Sequence, residues 1–428
     1  MRKLRLLSLL TLIFMLLFLT SCMAESPSLK DDSYGGYTPE YGGSFESESE
    51  SSKPTEPTPP DGSEEIPDDS SKNQGPLAGQ ITAAAWSDHK NYDFWCSLFE
   101  SNQENNKGLF SDYFTKLNSF NSTINTQKMI TVKITDNSIP AINLPVTIKN
   151  DNYKFNALTN VSGIAYLFLP NDTSFPYIIE YNHNSYELTE YTSETIELTT
   201  TLPQVKESAY SLDLMFVIDT TGSMGDELSY LKSEIKDVIE QIDTDKDIRL
   251  SLLFYRDTGD QYVTRFFDFT TDIDEQIQNI NNQRASGGGD FEEAVDTALE
   301  LAVTQASWGE YSNKILIHVL DAPPHSTKQN INLFASSILT AAENGIRIIP
   351  VASSGIDKWT EFLLRTEALI TGGTYTYITN HSGIGGNHID ATVESVTVEY
   401  LNDMLVRLIN EYYTGIEIPP IPFDQVQK

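Results

Sequence analysis

An α/β fold built on a mostly parallel sheet is predicted for the C-terminal half of this 428-residue chain, and three observations carry it. Leu212-Asp213-Leu214-Met215-Phe216-Val217-Ile218 is an almost continuous apolar run, the pattern of a strand buried on both faces. After a short loop, Asp226 to Ile242 repeats apolar residues at helical spacing, with Leu228, Leu231, Ile235, Val238, Ile239 and Ile242 on one face. Lys314 to Leu320 is a second apolar strand, and it too ends in an aspartate, Asp321. A small all-β sandwich and a disordered N-terminal stalk are expected ahead of this unit.

The chain opens Met1-Arg2-Lys3-Leu4-Arg5 and is largely apolar from Leu6 to Leu19. A basic start before a short apolar core is the pattern of a secretory signal, too short for a comfortable membrane span. Leu19-Thr20-Ser21-Cys22 is similar to a bacterial lipobox. That resemblance implies a signal peptide over 1–21, lipidation of Cys22 and a membrane anchor on the extracytoplasmic side of a cell envelope. Two or more acyl chains hold where one does not, because each buried methylene adds about 0.8 kcal/mol. The chain has 2 cysteines, so Cys96 is left without an intramolecular partner and reads as a small buried apolar residue.

The 61 acidic residues against 28 Lys and Arg give a net charge of -33, which argues against nucleic acid and anionic headgroups as partners. Much of the excess falls in 22–79, where Glu25 to Gly75 is rich in Ser, Glu, Pro, Gly and Tyr and nearly free of aliphatics. Such a tract cannot bury enough apolar surface to order itself. It reads as a self-repelling linker of about 50 residues, spanning on the order of 40 Å as a coil.

Residues 80–126 carry Trp86, Tyr92, Phe94, Trp95, Leu98 and Phe99, then Phe110, Tyr113 and Phe114. Aromatics at helical spacing predict a short helical segment that packs on a neighbour, in preference to a platform for sugar. From 127 to 203 the pattern changes to short alternating runs, Ile130–Ile134, Val146–Lys149, Ala165–Leu169 and Tyr177–Tyr181, parted by turn residues. An antiparallel sandwich is expected. Asn143-Leu144-Pro145-Val146 and Thr159-Asn160-Val161-Ser162-Gly163-Ile164-Ala165 resemble the carboxypeptidase regulatory-like, transthyretin-type domains, which implies a spacer or mount.

The chemistry gathers where the strands end. Asp219-Thr220-Thr221-Gly222-Ser223-Met224 follows the first apolar run and places oxygen at alternate positions, Asp219, Thr221 and Ser223. A hard divalent cation takes oxygen ligands and keeps several waters, so one carboxylate and two hydroxyls make a partial cage. A strand-to-helix turn capped by the same residues is the plainer alternative. Two further loops join in: Ser286-Gly287-Gly288-Gly289-Asp290, expected to lead into a helix from Phe291 to about Val303, and Asp321-Ala322-Pro323-Pro324-His325.

These three motifs in order resemble the von Willebrand factor A family and its metal-ion-dependent adhesion site, over 210–415, with a tail at 416–428. The resemblance implies a doubly wound sheet and a metal, Mg²⁺ or else Mn²⁺ or Ca²⁺, held by Asp219, Thr221, Ser223, Asp290 and Asp321. It departs at Gly289, where the family has a threonine; Asp290 or Ser286 could stand in. The family's open coordination position implies a protein or other macromolecular partner that offers a carboxylate, and no enzyme is expected. A metal-dependent hydrolase is the runner-up, because His325 and Ser223 lie near the same rim, yet no His-Glu-x-x-His or Gly-x-Ser-x-Gly motif is present. A structural envelope scaffold with a vestigial metal site is the third reading. His318 reads as a core histidine, and His381 with His388 as flanks of a glycine-rich loop.

Overall fold

The structure is a computed structural model that describes residues 81–100, 109–202, 211–242, 248–382 and 388–426. The signal peptide expected over 1–21, Cys22 and the linker 22–79 lie outside these residues. In chain order the first elements are β1 (Thr82–Trp86), α1 (Tyr92–Ser97) and α2 (Leu109–Ser119). Eight strands follow: β2 (Met129–Asp136), β3 (Ile139–Pro140), β4 (Pro145–Lys149), β5 (Lys154–Leu158), β6 (Ile164–Phe168), β7 (Tyr177–Tyr181), β8 (Asn184–Leu188) and β9 (Ile196–Thr199). The C-terminal half runs β10 (Leu212–Asp219), α3 (Gly225–Glu240), β11 (Ile248–Tyr255), β12 (Thr264–Thr270), α4 (Ile273–Asn281), α5 (Val295–Thr304) and β13 (Asn313–Leu320). It ends with α6 (Lys328–Glu343), β14 (Ile346–Ala352), α7 (Lys358–Thr371), β15 (Tyr375–Ile378), β16 (Val398–Tyr400) and α8 (Leu401–Thr414).

Eight strands make the large sheet, in the order β12-β11-β10-β13-β14-β15-β1-β16. The inner neighbours from β11 to β15 are parallel, while β12, β1 and β16 pair antiparallel at the edges. Every residue of β10 and β13 is buried, which is why both read as nearly continuous apolar runs. Alternate residues of β10 feed two cores. Leu214, Phe216 and Ile218 pack with Leu228, Leu231 and Ile235 of α3 and with Met404 and Leu408 of α8. Met215 and Val217 face the other way, toward Val295 and Leu299 of α5, Phe334 and Ile338 of α6, and Phe362 of α7.

Residues 80–126 hold a surprise for the helical expectation, because their first element is a strand. β1 pairs antiparallel with β15 (Ala83↔Ile378) and with β16 (Thr82↔Tyr400), so a segment from far upstream of β10 completes this side of the large sheet. The aromatics that follow pack on α7: Trp95 stacks on Phe362 at 6.3 Å, and Phe110 meets the same ring edge-on at 5.4 Å. Asp88 forms a buried ion pair with Arg365 of α7, which pins the segment to the helix.

Between β1 and β10 lie two four-stranded sheets, one of β3-β2-β6 with β9 beside β2, the other β5-β4-β7-β8. Phe155 and Phe168 touch across them at 5.6 Å, and both belong to the core that also holds α6 and α7. One pairing departs from the all-antiparallel expectation: β9 runs parallel to β2, with Val132 opposite Ile196. Among the described residues no helix is long and apolar enough to cross a membrane. Cys96 is free and half-buried.

Candidate metal centre

Three loops leave the carboxyl ends of β10 and β13 and the region before α5, and hydrogen bonds clasp them together. Gly222 N donates to Gly287 O at 3.2 Å, and Ser286 N donates to Thr220 O at 3.0 Å. Gly287 and Gly288 have φ of 87° and 74°, the left-handed region that favours glycine. Their missing side chains also make room for acids. A Cβ on Gly287 would lie 2.3 Å from Asp260 Oδ2, and one on Gly288 2.8 Å from Glu293 Oε1.

Asp219 is fully buried at the end of β10. Its Oδ1 accepts from Thr221 N at 2.8 Å and from Thr221 Oγ1 at 2.7 Å, while Oδ2 has no partner. Burial, then the negative charge of Asp321, push its pKa up to about 7, against the pull of the Thr221 bonds. Asp321 is buried at the end of β13 with Oδ1 unpartnered. Burial lifts its pKa to about 6, opposed by a hydrogen bond from Ser223 and aided by Glu227. Thr221 Oγ1 and Ser223 Oγ stand 3.4 Å apart, with Ser223 exposed at the mouth. Asp219, Thr221, Ser223 and Asp321 are thus brought to one place.

Asp290 has its nearest acidic and imidazole neighbours elsewhere on the rim. It is exposed and forms a rim trio with Asp257 and His325, whose ligand atoms all lie within 4.8 Å of one another. His325 Nε2 is 2.7 Å from Asp257 Oδ1. Burial opposes charge on this imidazole, but the bond and charge of Asp257, with Asp290 and Glu292, prevail and raise its pKa. Ser286 is exposed and contributes its backbone N–H to the loop clasp.

The third buried carboxylate is one that sequence reasoning missed, Glu293. It is 3% exposed, with Oε2 unpartnered. Burial, followed by the charges of Asp219, Asp257, Asp321 and Asp260, drives its pKa to about 9. The expected helix start at Phe291 hid it. The helix begins only at Val295, because Glu293 N donates to Pro323 O at 3.0 Å and holds residues 291–294 alongside the Asp321 loop. The signal that could have found it is the pair Glu292-Glu293 shortly after the glycine run, with Asp290 and Phe291 between. Behind the site, His318 Nδ1 bonds Glu367 Oε1 at 2.9 Å, both fully buried.

Asp219 Oδ2, Asp321 Oδ1 and Glu293 Oε2 are buried acceptors with no donor. Buried polar atoms are normally satisfied, and buried charges are paired or bound to metal. With two hydroxyls beside them, this donor set fits a hard divalent cation. The three carboxylates do not all approach one another within 4.8 Å, a spacing suited to a cation that keeps water between itself and some ligands.

Residues 213–377 match the von Willebrand factor A domain model and form such a domain. Three curated proteins are similar over part of the chain. One is a putative ariadne-like RING finger protein, R811, of Acanthamoeba polyphaga mimivirus, 27% identical over 48% of this chain and 21% of its own length. Another is the alpha-protein kinase vwkA of Dictyostelium discoideum, 29% identical over 37% of this chain and 25% of that one. A third is the von Willebrand factor A domain-containing protein 7 of Mus musculus, 39% identical over 21% and 10%. The chain therefore spans at most 25% of the length of these relatives. A solved structure, the conserved hypothetical protein BatB of Bacteroides thetaiotaomicron, matches 39% of this chain and 89% of its own with a TM-score of 0.31 and 14% identity. A von Willebrand factor A domain suggests protein interaction or adhesion, and such domains often bind a divalent metal.

Proposed function

We propose that the von Willebrand factor A domain of this chain binds a protein or other macromolecular partner through a divalent-cation site made by Asp219, Thr221, Ser223, Glu293 and Asp321. The observation that carries the reading is the trio of buried carboxylate oxygens left without donors at the end of the sheet. When bound, a cation such as Mg²⁺, Mn²⁺ or Ca²⁺ supplies a positive centre that a partner's carboxylate can meet. The chain's own residues prepare that meeting. Asp219, Asp321 and Glu293 gather carboxyl groups below the mouth that would ionise toward a bound cation, and Thr221 and Ser223 offer neutral oxygens beside them. The surplus charge of -33 repels acidic partners at a distance. Productive partners should therefore carry one acidic residue within a neutral or basic patch.

The rest of the chain fits this role as delivery and mounting. Cys22 is proposed as the lipidated residue after a signal peptide over 1–21, with 22–79 as a stalk that holds the domain away from an extracytoplasmic membrane face. Residues 127–203 are proposed as a carboxypeptidase regulatory-like sandwich that serves as a mount.

The test is recovery of a partner from native surface extract on the full chain, with and without chelator. Asp219→Ala and Asp321→Ala should lose the partner while the fold persists, as chelator does. Ser223→Ala should weaken binding less, because water can replace a neutral ligand. Turnover of a peptide, phosphate ester or glycan, abolished by these substitutions while binding persists, would move the assignment to a metal-dependent hydrolase.

A further inference from the structure

A roomy cavity among the described residues lies far from these loops. It holds about 680 Å³ and opens between β1, the start of β14, α8 and the turn before β6. Arg347, second residue of β14, sits in its wall at the end of the sheet opposite Asp219 and is 6% exposed. Among the described residues its guanidinium has one hydrogen bond, a long one of 3.5 Å to Asn313 Oδ1, and no carboxylate partner. The other cations of the wall are committed. Arg407 is held by Glu399 and Glu411, and Lys90 by Glu417. Arg365, fully buried elsewhere in the fold, has Asp88 and Glu361 beside it. Arg256, also 6% exposed and without an acid partner among the described residues, donates Nη2 to Arg284 O at 2.6 Å and lies over the Tyr262 ring at 4.5 Å, so Arg347 is the more weakly satisfied of the two.

We infer that this cavity is a binding site for a small molecule or peptide end bearing a single carboxylate, with Arg347 as its anchor. A guanidinium stays charged, and burying it unpaired is costly, so the arrangement calls for an anion. Burial indeed holds the Arg347 pKa below its ordinary value. The planar fork matches a carboxylate in a two-bond geometry. One uncommitted cation matches one negative charge, and a phosphate would bring a second charge toward Glu411 and Glu417. The volume falls within the range of about 300–1,000 Å³ usual for small-molecule sites. Trp86, Tyr166 and Tyr412 offer apolar surface for the ligand body, and Asn160, Ser162 and Thr397 offer polar contacts.

The experiment is thermal melting of the full chain and of Arg347→Met against three probe types: a set of carboxylates such as N-acetylphenylalanine and benzoate, the amides of the same compounds, and phenyl phosphate. Carboxylates should raise the melting temperature of the wild type by about 3–5 °C near ten times their dissociation constant, and the amides should not. Arg347→Met should lose that response and, without any probe, should melt higher than the wild type, because it removes an unpaired buried charge. Arg347→Lys keeps the charge but not the fork, and should bind about tenfold more weakly. The inference is overturned if no carboxylate shifts the wild type, if the shift survives in Arg347→Met, or if phenyl phosphate outperforms the carboxylates. It is equally overturned if Arg347→Met melts lower than the wild type, since Arg347 is then a structural cation.

Discussion

Strand β10 carries a buried aspartate near each end, and the two are treated in opposite ways. Asp213 and Asp219 are both fully buried. Asp213 accepts from Arg249 Nε at 2.8 Å and Nη2 at 2.6 Å, from Gly309 N at 2.7 Å and from Ser312 Oγ at 2.6 Å. Asp219 accepts the two donors of Thr221, both on one oxygen. Burial therefore does not make a site. What distinguishes the carboxyl end of the sheet is that Asp219, Asp321 and Glu293 each keep one buried oxygen without a donor, while at the opposite end both oxygens of Asp213 are bonded.

Removing the satisfied aspartate should have the largest effect. Asp213→Ala leaves Arg249, Gly309 and Ser312 without their acceptor, and breaking such a pair costs roughly 3–5 kcal/mol. Asp219→Asn, measured in chelator, should leave stability unchanged or raised, since it relieves repulsion among acids. Urea unfolding of both variants checks the contrast. Equal losses would mean that Asp219 is as structural as Asp213.

A second effect, somewhat smaller, is in the pH dependence of the protein in chelator. Asp219 and Glu293 have folded pKa values of about 7 and about 9, above ordinary values of 3.8 and 4.5. The folded state then holds protons that the unfolded chain releases, so their contribution is fully present below the ordinary values. It is lost as pH rises through the folded ones. Between pH 6.5 and pH 8.5 stability should fall by roughly 3 kcal/mol. His89, pushed down to about 4 by burial, acts in the opposite sense but only below its ordinary 6.5. Glu293→Gln should flatten the decline. Stability that rises across this window would show that the carboxylates are already paired.

The comparison also marks what could be read from the chain alone. The end of β10, its loop and α3 were legible, because a strand buried on both faces is a nearly continuous apolar run and the helix after it repeats cleanly. Asp219, Thr221 and Ser223 were singled out by their alternate spacing after such a strand, and Asp321 by the family resemblance; the fold brings the four side by side. Glu293 was not, since its backbone bond to Pro323 overrides a local pattern that suits a helix. β1 was hidden for a different reason. Thr82-Ala83-Ala84-Ala85-Trp86 has little strand propensity of its own, and pairing with β15 and β16 imposes its conformation. Asp290 illustrates the limit of spacing: the left-handed glycines before it send it to the rim, a turn that residue order does not disclose.

The smallest predicted effect separates the two acidic groups from each other. With free Mg²⁺ at about ten times its dissociation constant, binding adds roughly 1.4 kcal/mol by mass action. That corresponds to a rise of about 3–5 °C in melting temperature for a domain of this size. If the ion sits among the buried acids, Asp219→Asn should abolish the rise and His325→Ala should leave it intact. The rim trio predicts the reverse, and its imidazole would favour Zn²⁺ over Mg²⁺, because nitrogen suits a transition metal better than a hard cation. The buried group also predicts a link to pH that the rim does not. A cation favours the ionised carboxylates, so the Mg²⁺ increment should grow between pH 6.5 and pH 8.5, where Asp219 and Glu293 would otherwise hold their protons. An increment that is independent of pH and lost in His325→Ala would place the metal at the rim, and the unsatisfied end of β10 would then need another explanation.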